Sequence, residues 1–411
     1  MAAAKRRPTL IALLIGILIG AATMAGVGYG LGWVGDGSPA DPDTAARADG
    51  DGDPAATPRS GAGSGDGGDG TSSSEETVTV SLSGDLLWHE EVWTSGQNPD
   101  GTWDFTDMFA DVKPLVDGAD FAVCHQETIF APPEGPYSAY PSFQTPPQVV
   151  DGIRDTGWDM CTTASNHSVD AGTEGLVRTL DTFDAAGVLH SGAARSPEEM
   201  AEPRIFTTDD GVRIGVVTGT YATNGIPVEE PWLLGDLDPD ALLAKAAATR
   251  AAGADIVMVA MHAGDEGVTA PTQQQLDLAD VLTRSPDVDV VYGHHIHAVQ
   301  PIEQVNGKWV IYGLGNMVAH QSAETTLSYE GITVELEFAR EAAEGDGWTV
   351  RELTYVPTII TPHGTFPVRV APISTLMGHP DADRARLDAS LARTREAVFS
   401  RGLDPAMVTE G

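Results

Sequence analysis

Five short clusters of side chains that can bind metal ions occur along this sequence, and each follows a run of aliphatic or β-branched residues. Their candidate metal-binding side chains are Asp85, His125, Glu127, Asn166, His167, Asp170, His262, Asp265, Glu266, His294, His295 and His297. Carboxylate and amide oxygens suit hard divalent ions, whereas imidazole suits Mn²⁺, Fe²⁺ or Zn²⁺. The mixed set therefore predicts a divalent-metal site, with Mn, Fe or Zn favoured over Ca.

Each cluster alone is a weak signal, because a Gly-Asp pair such as Gly84-Asp85 is usually a turn. The pair of His295 and His297 is stronger. Alternate residues on an extended segment share a face, so we expect both to reach one site while Ile296 packs away from it. On the same reasoning His294 shares the face of Ile296 and is expected to be solvent-facing or to support the ligands.

The intervening sequence predicts the elements that would bring these clusters together. Short β-rich runs occur at 121–124, 160–163, 214–218, 256–261, 288–292 and 309–312, after an opening strand at 77–82. Helical patterns lie between them at 147–155, 174–186, 239–252 and 273–283. Alternating strands and helices predict an α/β fold, in which sites form at the carboxyl ends of the strands. Residues 331–370 are expected to add β structure, and 381–401 to form a terminal helix.

The order and spacing of these motifs resemble the CapA family, the poly-gamma-glutamate capsule synthesis proteins. The resemblance spans about Val78 to Met317 and rests on Gly84-Asp85-Leu86-Leu87, Cys124-His125-Gln126-Glu127, Asn166-His167-Ser168-Val169-Asp170-Ala171-Gly172, His262-Ala263-Gly264-Asp265-Glu266, His295-Ile296-His297-Ala298-Val299-Gln300-Pro301-Ile302-Glu303 and Tyr312-Gly313-Leu314-Gly315-Asn316. It implies a calcineurin-like, metallophosphatase-like fold, a four-layered α/β/β/α sandwich. It also implies a role in making, exporting or trimming an anionic cell-surface polymer.

By position, the resemblance assigns roles to individual residues. One or two divalent ions would be held by six candidate ligands, with Glu127 as the best bridging carboxylate: Asp85, Glu127, Asn166, His262, His295 and His297. His167 is similar to the catalytic histidine of Asn-His motifs, and Asp170 would fix its tautomer. Three further candidates, His125, Glu266 and Asn316, complete the predicted site.

Several positions depart from the patterns of these families. Leu87 stands where metallophosphatases usually have a histidine, so one metal site is expected to be weak or empty. His125 replaces an asparagine that is usual in the family, and it is equally consistent with an extra ligand or a pocket wall. Asn316 is equally consistent with a site residue or a turn asparagine. His89 is expected to support the ligands or to face solvent.

The N-terminal region predicts a membrane anchor. A basic tail at 1–8 precedes an uncharged apolar stretch at 9–35, which is long enough to cross a bilayer. By the positive-inside rule, the N-terminus would stay in the cytoplasm and the remaining chain would be extracytoplasmic. We expect an uncleaved single-pass helix, with a cleaved signal peptide as the alternative. A Gly/Asp/Ser-rich linker at 36–76, a domain at 77–375 and a helical extension at 376–411 would follow.

Charge and cysteine content narrow the functional classes. The net charge of −37 argues against nucleic acid as a partner, because nucleic-acid binding needs clustered Lys and Arg. The two cysteines, Cys124 and Cys161, are too few for a disulfide scaffold. We expect them to be separate buried thiols, with pairing left open.

Two functions are compatible with these observations. The first is a metal-dependent hydrolase or transferase acting on a phosphoester or a γ-glutamyl-type amide at the cell surface. The second is a non-enzymatic component that binds metal or an anionic polymer within a capsule synthesis or export complex, with other membrane proteins as partners. An adhesive ectodomain with incidental histidines would not explain why the polar clusters follow strands.

Overall fold

The computed structural model describes residues 76–340 and 347–411. Within these ranges no helix is long and apolar enough to cross a bilayer. The predicted basic tail, the membrane span and residues 36–75 of the linker lie outside the described residues.

Two β-sheets form the centre of the described structure. Their fifteen strands are β1 (Glu76–Leu86), β2 (Phe121–Gln126), β3 (Met160–Thr162), β4 (Leu189–Ser191), β5 (Ile205–Thr207), β6 (Arg213–Thr220), β7 (Ile256–His262), β8 (Val290–His294), β9 (Ile302–Val305), β10 (Lys308–Ile311), β11 (Asn316–Val318), β12 (Glu330–Arg340), β13 (Thr349–Ile360), β14 (Val370–Pro372) and β15 (Thr409–Glu410). The first sheet has the order β14-β13-β12-β1-β2-β3-β4, with β11 paired to β1 and β15 to β13. The second sheet has the order β5-β6-β7-β8-β10-β9.

Helices cover the sheets and connect their parallel strands. They are α1 (Glu90–Thr94), α2 (Thr106–Phe109), α3 (Lys113–Val116), α4 (Val149–Thr156), α5 (Gly172–Ala186), α6 (Pro197–Ala201), α7 (Pro239–Ala251), α8 (Gln273–Thr283), α9 (Ile373–Met377) and α10 (Arg384–Phe399). Sequence signals explain several helix starts. Thr272 and Gln275 form a capping box at α8, and Asp238 caps α7 ahead of Pro239.

Alternation along the strands places three hydrophobic layers around the two sheets. Phe121 and Val123 of β2 join Met258 and Ala260 of β7 in one cluster between the sheets. The neighbouring side chain Ala122 packs outward with residues of α2 and α4. On the other side, alternate residues of β7 pack against α7 and α8. This packing gives helix, sheet, sheet and helix layers, stabilised by burial worth about 1.5–3 kcal/mol for each large aliphatic side chain.

The six strands predicted from β-rich runs and the helices predicted at 147–155, 174–186, 239–252 and 273–283 are confirmed, as are the terminal helix, which forms as α10, and the mixed α/β class. The opening strand begins at Glu76, one residue before the predicted start. The region 331–370 forms the long antiparallel pair β12 and β13. Strands β4, β5, β9, β11, β14 and β15 were not predicted individually, because all but β9 are two or three residues long and β9 has four.

The two cysteines form a disulfide bond, so the expectation of separate thiols is wrong. Cys124 on β2 lies directly opposite Cys161 on β3 in the parallel ladder, with their Cα atoms 4.5 Å apart. This distance lies within the range that a disulfide can bridge. The sequence did not reveal the pairing because it depends on the register of two strands separated by 37 residues.

Candidate metal centre

The carboxyl ends of parallel strands from both sheets bring the predicted clusters to one place. Asp85 lies near the end of β1, and Glu127 follows β2 by one residue. His262 and His294 are the last residues of β7 and β8. Glycine permits the close approach of these strand ends, because a Cβ at Gly84 would lie 2.2 Å from the carbonyl oxygen of Gly315. The strand ends therefore bring these side chains together at one end of the fold.

Two groups of buried side chains could each hold a metal ion. The first consists of Glu127, His262 and His295, and the second of Asp85, Glu127 and His297. Within each group the candidate ligand atoms lie within 4.8 Å of one another. Glu127 belongs to both groups, which is the arrangement expected of a carboxylate that bridges two ions.

Unpartnered polar atoms show that this donor set fits a cation. Both carboxylate oxygens of Glu127 are buried without a hydrogen-bond partner, as are Nδ1 of His262 and Nδ1 of His295. Burying several such atoms together is costly unless something compensates them. A divalent ion would satisfy all of them, and oxygen with imidazole nitrogen is a set that Mn²⁺, Fe²⁺ and Zn²⁺ accept.

Two asparagines orient the imidazoles. Asn166 Oδ1 accepts a hydrogen bond from Nε2 of His262 at 2.9 Å, which leaves Nδ1 of that ring free as a ligand. Asn316 Oδ1 accepts from Nδ1 of His297 at 3.0 Å, while its amide nitrogen donates to the carbonyl oxygen of Ser328. Asn316 therefore positions His297, whose Nε2 lies 3.6 Å from Glu127 Oε1. The structure places Asn166 beside the two groups, in contact with a ligand candidate.

Of the two roles expected for His294, the structure supports contact with a ligand rather than exposure to solvent. Its ring is buried, and its Nδ1 donates a hydrogen bond to Asp85 Oδ1 at 2.7 Å. The backbone N–H of His295 donates to the other oxygen of Asp85 at 3.1 Å. His294 therefore orients the Asp85 carboxylate, as residues around metal ligands commonly do.

The segment that carries His295 and His297 is not extended, contrary to the sequence argument. β8 ends at His294, and His295 and His297 have φ of 93° and 52°, in the left-handed region. Both rings still reach the site, while Ile296 is buried against Gly264 and Gly313. The two histidines converge because the backbone bends sharply, rather than through the alternation of a strand.

His125 lies at the centre of the imidazole cluster but belongs to neither group. Its Nδ1 lies 2.7 Å from Thr162 Oγ1, and its ring stacks on His294 with centroids 4.2 Å apart. Its buried Nε2 has no hydrogen-bond partner. The predicted choice between an extra ligand and a pocket wall therefore stays open. Glu266 is exposed and is absent from both groups.

His167 and Asp170 form a buried pair beside the groups. His167 Nδ1 lies 2.7 Å from Asp170 Oδ2, which also accepts the backbone N–H of Phe143 at 2.7 Å. The ring of Phe143 meets His167 edge-on, with centroids 4.8 Å apart. The carboxylate fixes a proton on Nδ1, which leaves Nε2 to exchange a proton with a substrate.

Burial and mutual charge shift the pKa values in this cluster strongly. Burial would raise the pKa of Asp85, but hydrogen bonds from His294 and His297 hold it well below its usual value. Burial raises the pKa of Glu127 to about 7. Burial lowers the pKa of His295 to about 4, and together with neighbouring imidazoles it holds that of His262 well below its usual value. For His167, burial lowers the pKa, but Asp170 and Glu127 outweigh it and the net shift is upward.

The loop after β6 also reaches the site, although none of its residues was predicted to do so. The ring of Tyr221 is tilted by 44° against that of His295, with centroids 4.6 Å apart, and its backbone N–H donates to the carbonyl oxygen of His262. The side chain of Asn224 accepts a hydrogen bond from Asn166 at 3.3 Å. The strand-end rule could have identified this loop, because β6 is parallel to β7 and ends at the same edge.

His89 and Leu87 lie outside the two groups. His89 is largely buried, and its ring packs edge-on against Phe143 with centroids 5.4 Å apart. Burial together with the nearby His297 lowers the pKa of His89 to about 4. Leu87 is buried in the hydrophobic cluster on the outer face of the first sheet, so it supplies packing at this position.

Sequence comparison identifies relatives of this chain. A family model described as bacterial capsule synthesis protein PGA_cap matches residues 79–321. The capsule biosynthesis protein CapA of Bacillus anthracis is 25% identical over 248 residues, which cover 59% of this chain and 54% of that protein. The PGA biosynthesis protein CapA of Bacillus subtilis is 29% identical over 181 residues, which cover 43% of this chain and 47% of that protein. The chain thus spans about half the length of the curated relatives it matches.

Among solved structures the similarity is weaker. The NAD nucleotidase of Haemophilus influenzae has a TM-score of 0.43 and 13% identity, covering 78% of this chain and 67% of that one. A calcineurin-like phosphoesterase from Bacillus subtilis has a TM-score of 0.42 and 13% identity, and the match covers 78% of this chain and 97% of that one.

Proposed function

The chain belongs to the bacterial capsule synthesis protein family, and from this premise we propose that it is a metal-dependent hydrolase or transferase acting in the synthesis, export or trimming of an anionic cell-surface polymer. The observation that carries the enzymatic part is Glu127, which belongs to both groups of candidate metal ligands and whose two buried oxygens have no hydrogen-bond partner. Two relatives are named for capsule and PGA biosynthesis, which supports a polymer related to poly-γ-glutamate.

In this proposal the residues divide into those that would hold ions and those that would handle protons and substrate. Glu127, His262 and His295 would hold one ion, and Asp85, Glu127 and His297 a second. When bound, divalent ions would activate a water molecule and neutralise negative charge that develops on the substrate.

The proton is handled by the buried His167–Asp170 pair. Asp170 holds the proton on Nδ1 of His167, so Nε2 can donate a proton to the atom that leaves. Phe143 packs against this ring and limits its contact with water. Asn166 and Asn316 keep the imidazoles of His262 and His297 in the orientation that turns one nitrogen of each ring towards the site.

The test compares the purified full-length chain with a Glu127→Gln variant after loading with Mn²⁺. We expect the natural chain to retain metal and to shorten poly-γ-glutamate, and the variant to lose both properties. Glu396→Gln, at an exposed position of α10, is the matched control and should behave like the natural chain. A natural chain that retains metal but never cleaves polymer would instead support a non-enzymatic, polymer-binding component of an export complex.

We also propose that residues 9–35 anchor the protein in the cell membrane with the domain outside. The three basic residues Lys5, Arg6 and Arg7 precede the apolar stretch, and acidic sequence follows it. The Cys124–Cys161 disulfide supports an oxidising compartment. Protease added to intact cells or spheroplasts should remove the domain, whereas complete protection would contradict this location.

A further inference from the structure

The loop that follows β6 holds Tyr221 against two candidate metal ligands. Its backbone N–H donates to the carbonyl oxygen of His262 at 3.1 Å. Its ring lies over that of His295, with centroids 4.6 Å apart and an angle of 44° between the planes. The side chain is 41% exposed, so it lies at the mouth of the site rather than in the core.

The Tyr221 hydroxyl is available to a ligand. Among the described residues it has no hydrogen-bond partner, whereas the hydroxyls of Tyr312 and Tyr355 are bonded to Glu303 and Glu410. The loop itself is held in place by Asn224, which adopts φ of 54° and bonds to Asn166. Tyr221 therefore presents a fixed neutral donor beside the Glu127, His262 and His295 group.

Apart from its histidines, the site has no basic side chain in the segments at the strand ends. The segments at the strand ends contain no Lys or Arg; they are 85–91, 125–131, 163–172, 220–226, 262–267, 293–300 and 315–321. Asp265 and Glu266 are exposed just after His262 and add negative charge. Enzymes that transfer phosphoryl groups commonly use Arg or Lys together with metal ions to stabilise the charged group. These segments supply no such cation, which disfavours a doubly charged phosphate ester as the reacting group.

We propose that the site takes an uncharged acyl group, an amide bond of the polymer, and that the Tyr221 hydroxyl donates a hydrogen bond to its carbonyl oxygen. This inference rests on the proposed function and names the bond on which the site acts. The oxygen of a water molecule bonds to the carbonyl carbon, and the carbon–nitrogen bond breaks. The leaving nitrogen takes a proton from Nε2 of His167, which recovers one from the water. The products are a carboxylate and an ammonium group, which carries the second proton of the water, and Tyr221 stabilises the negative charge that the carbonyl oxygen acquires in between.

The test uses the full-length chain loaded with Mn²⁺ and two chromogenic substrates, γ-glutamyl-p-nitroanilide and p-nitrophenyl phosphate. We expect kcat/KM to be higher for the anilide. Tyr221→Phe should lower kcat for the anilide by about 100-fold, with KM and metal content unchanged. Tyr140→Phe is the matched control, because Tyr140 is 75% exposed, and it should leave kcat unchanged.

Three results would overturn the inference. Preference for the phosphate would refute an uncharged reacting group but would leave the proposed hydrolase in place. A Tyr221→Phe variant with the same kcat as the natural chain would refute the role of this hydroxyl. Failure of the metal-loaded chain to cleave either substrate or the polymer would count against both the inference and the proposed function.

Discussion

His295 and His297 reach the metal centre through backbone conformations that histidine seldom adopts. Each lies in the left-handed region, which typically costs about 1–3 kcal/mol per residue and persists when the surrounding structure holds it. Two contacts hold this backbone in place. Asp85 accepts a hydrogen bond from the backbone N–H of His295, and Ile296 is buried between two glycines. The strain is localised at the candidate ligands, which is typical of functional sites.

Replacing His295 or His297 with Ala should remove metal from the chain, because each supplies a ligand atom to one of the two groups. Replacing His294 with Ala should weaken metal binding by about 10–100-fold, since it releases Asp85 from its hydrogen bond. Metal content and thermal unfolding of the three variants measure these effects. His379→Ala, at an exposed position, is the control. Full metal retention by the His295 and His297 variants would contradict the assignment.

His167→Ala should lower kcat by about 100- to 10,000-fold with metal content unchanged, because it removes the proton donor and no ligand. Asp170→Asn should also lower kcat, since an amide no longer fixes the proton on Nδ1 of His167. Rates of polymer cleavage together with metal analysis test both variants, and the exposed Asp210→Asn change serves as the control. Loss of metal in the His167 variant would show that this residue is a ligand instead.

For individual residues, the sequence predicted which side chains lie together at the metal centre but not the contacts that each one makes. Asp85, Glu127 and His262 were identifiable because they lie at or directly after the ends of largely buried strands. Tyr221 was not identified, because a tyrosine is a poor indicator of a metal site and its contact with His295 depends on the neighbouring loop. The sequence left two roles open for His294, facing solvent or supporting a ligand, since its partner Asp85 is 209 residues away in the chain.

Among the elements, β2 and β3 are joined both by their backbone ladder and by the Cys124–Cys161 bond. These strands also carry His125 and Thr162, whose side chains are hydrogen-bonded to each other at 2.7 Å. The covalent link therefore fixes the register of two strands directly beneath the imidazole cluster. Sequence patterns predicted both strands, but their register depends on long-range pairing that a single sequence does not display.

The denatured chain should show no titratable thiol before reduction and two after it. Replacing both cysteines with Ala should lower the free energy of unfolding by on the order of 3–4 kcal/mol, as expected for a loop of this length. Thiol counting and urea unfolding provide the measurements. Two thiols in the unreduced chain would disprove the bond, and unchanged stability in the double variant would show that it contributes little.

The whole molecule is strongly acidic, with a net charge of −37, yet the proposed polymer is also anionic. Long-range repulsion between the two should therefore oppose binding, and local cations in the metal centre would have to overcome it. The predicted exclusion of nucleic acid rests on the same charge and stays a prediction.

Raising the salt concentration should strengthen binding of poly-γ-glutamate, because the Debye length falls from about 30 Å at 0.01 M to about 8 Å at 0.15 M and repulsion is screened. Equilibrium binding to the Mn²⁺-loaded chain at these two ionic strengths measures the effect. An uncharged amide substrate is the control, and its KM should change little. Polymer affinity that falls with salt would show that an attractive basic surface governs binding.

The position of β1 has a consequence for how the protein is made. Its neighbours in the sheet are β2, which follows soon after it, and β12 and β11, which come from much later in the chain. During synthesis or transport with the N-terminus leading, one edge of β1 stays without its partners until residues beyond 316 are available. Such non-local pairing is slow and leaves a strand edge open to misassembly. We therefore expect the group of Asp85, Glu127 and His297 to form last. The protein would then acquire metal as one of the final events of its maturation.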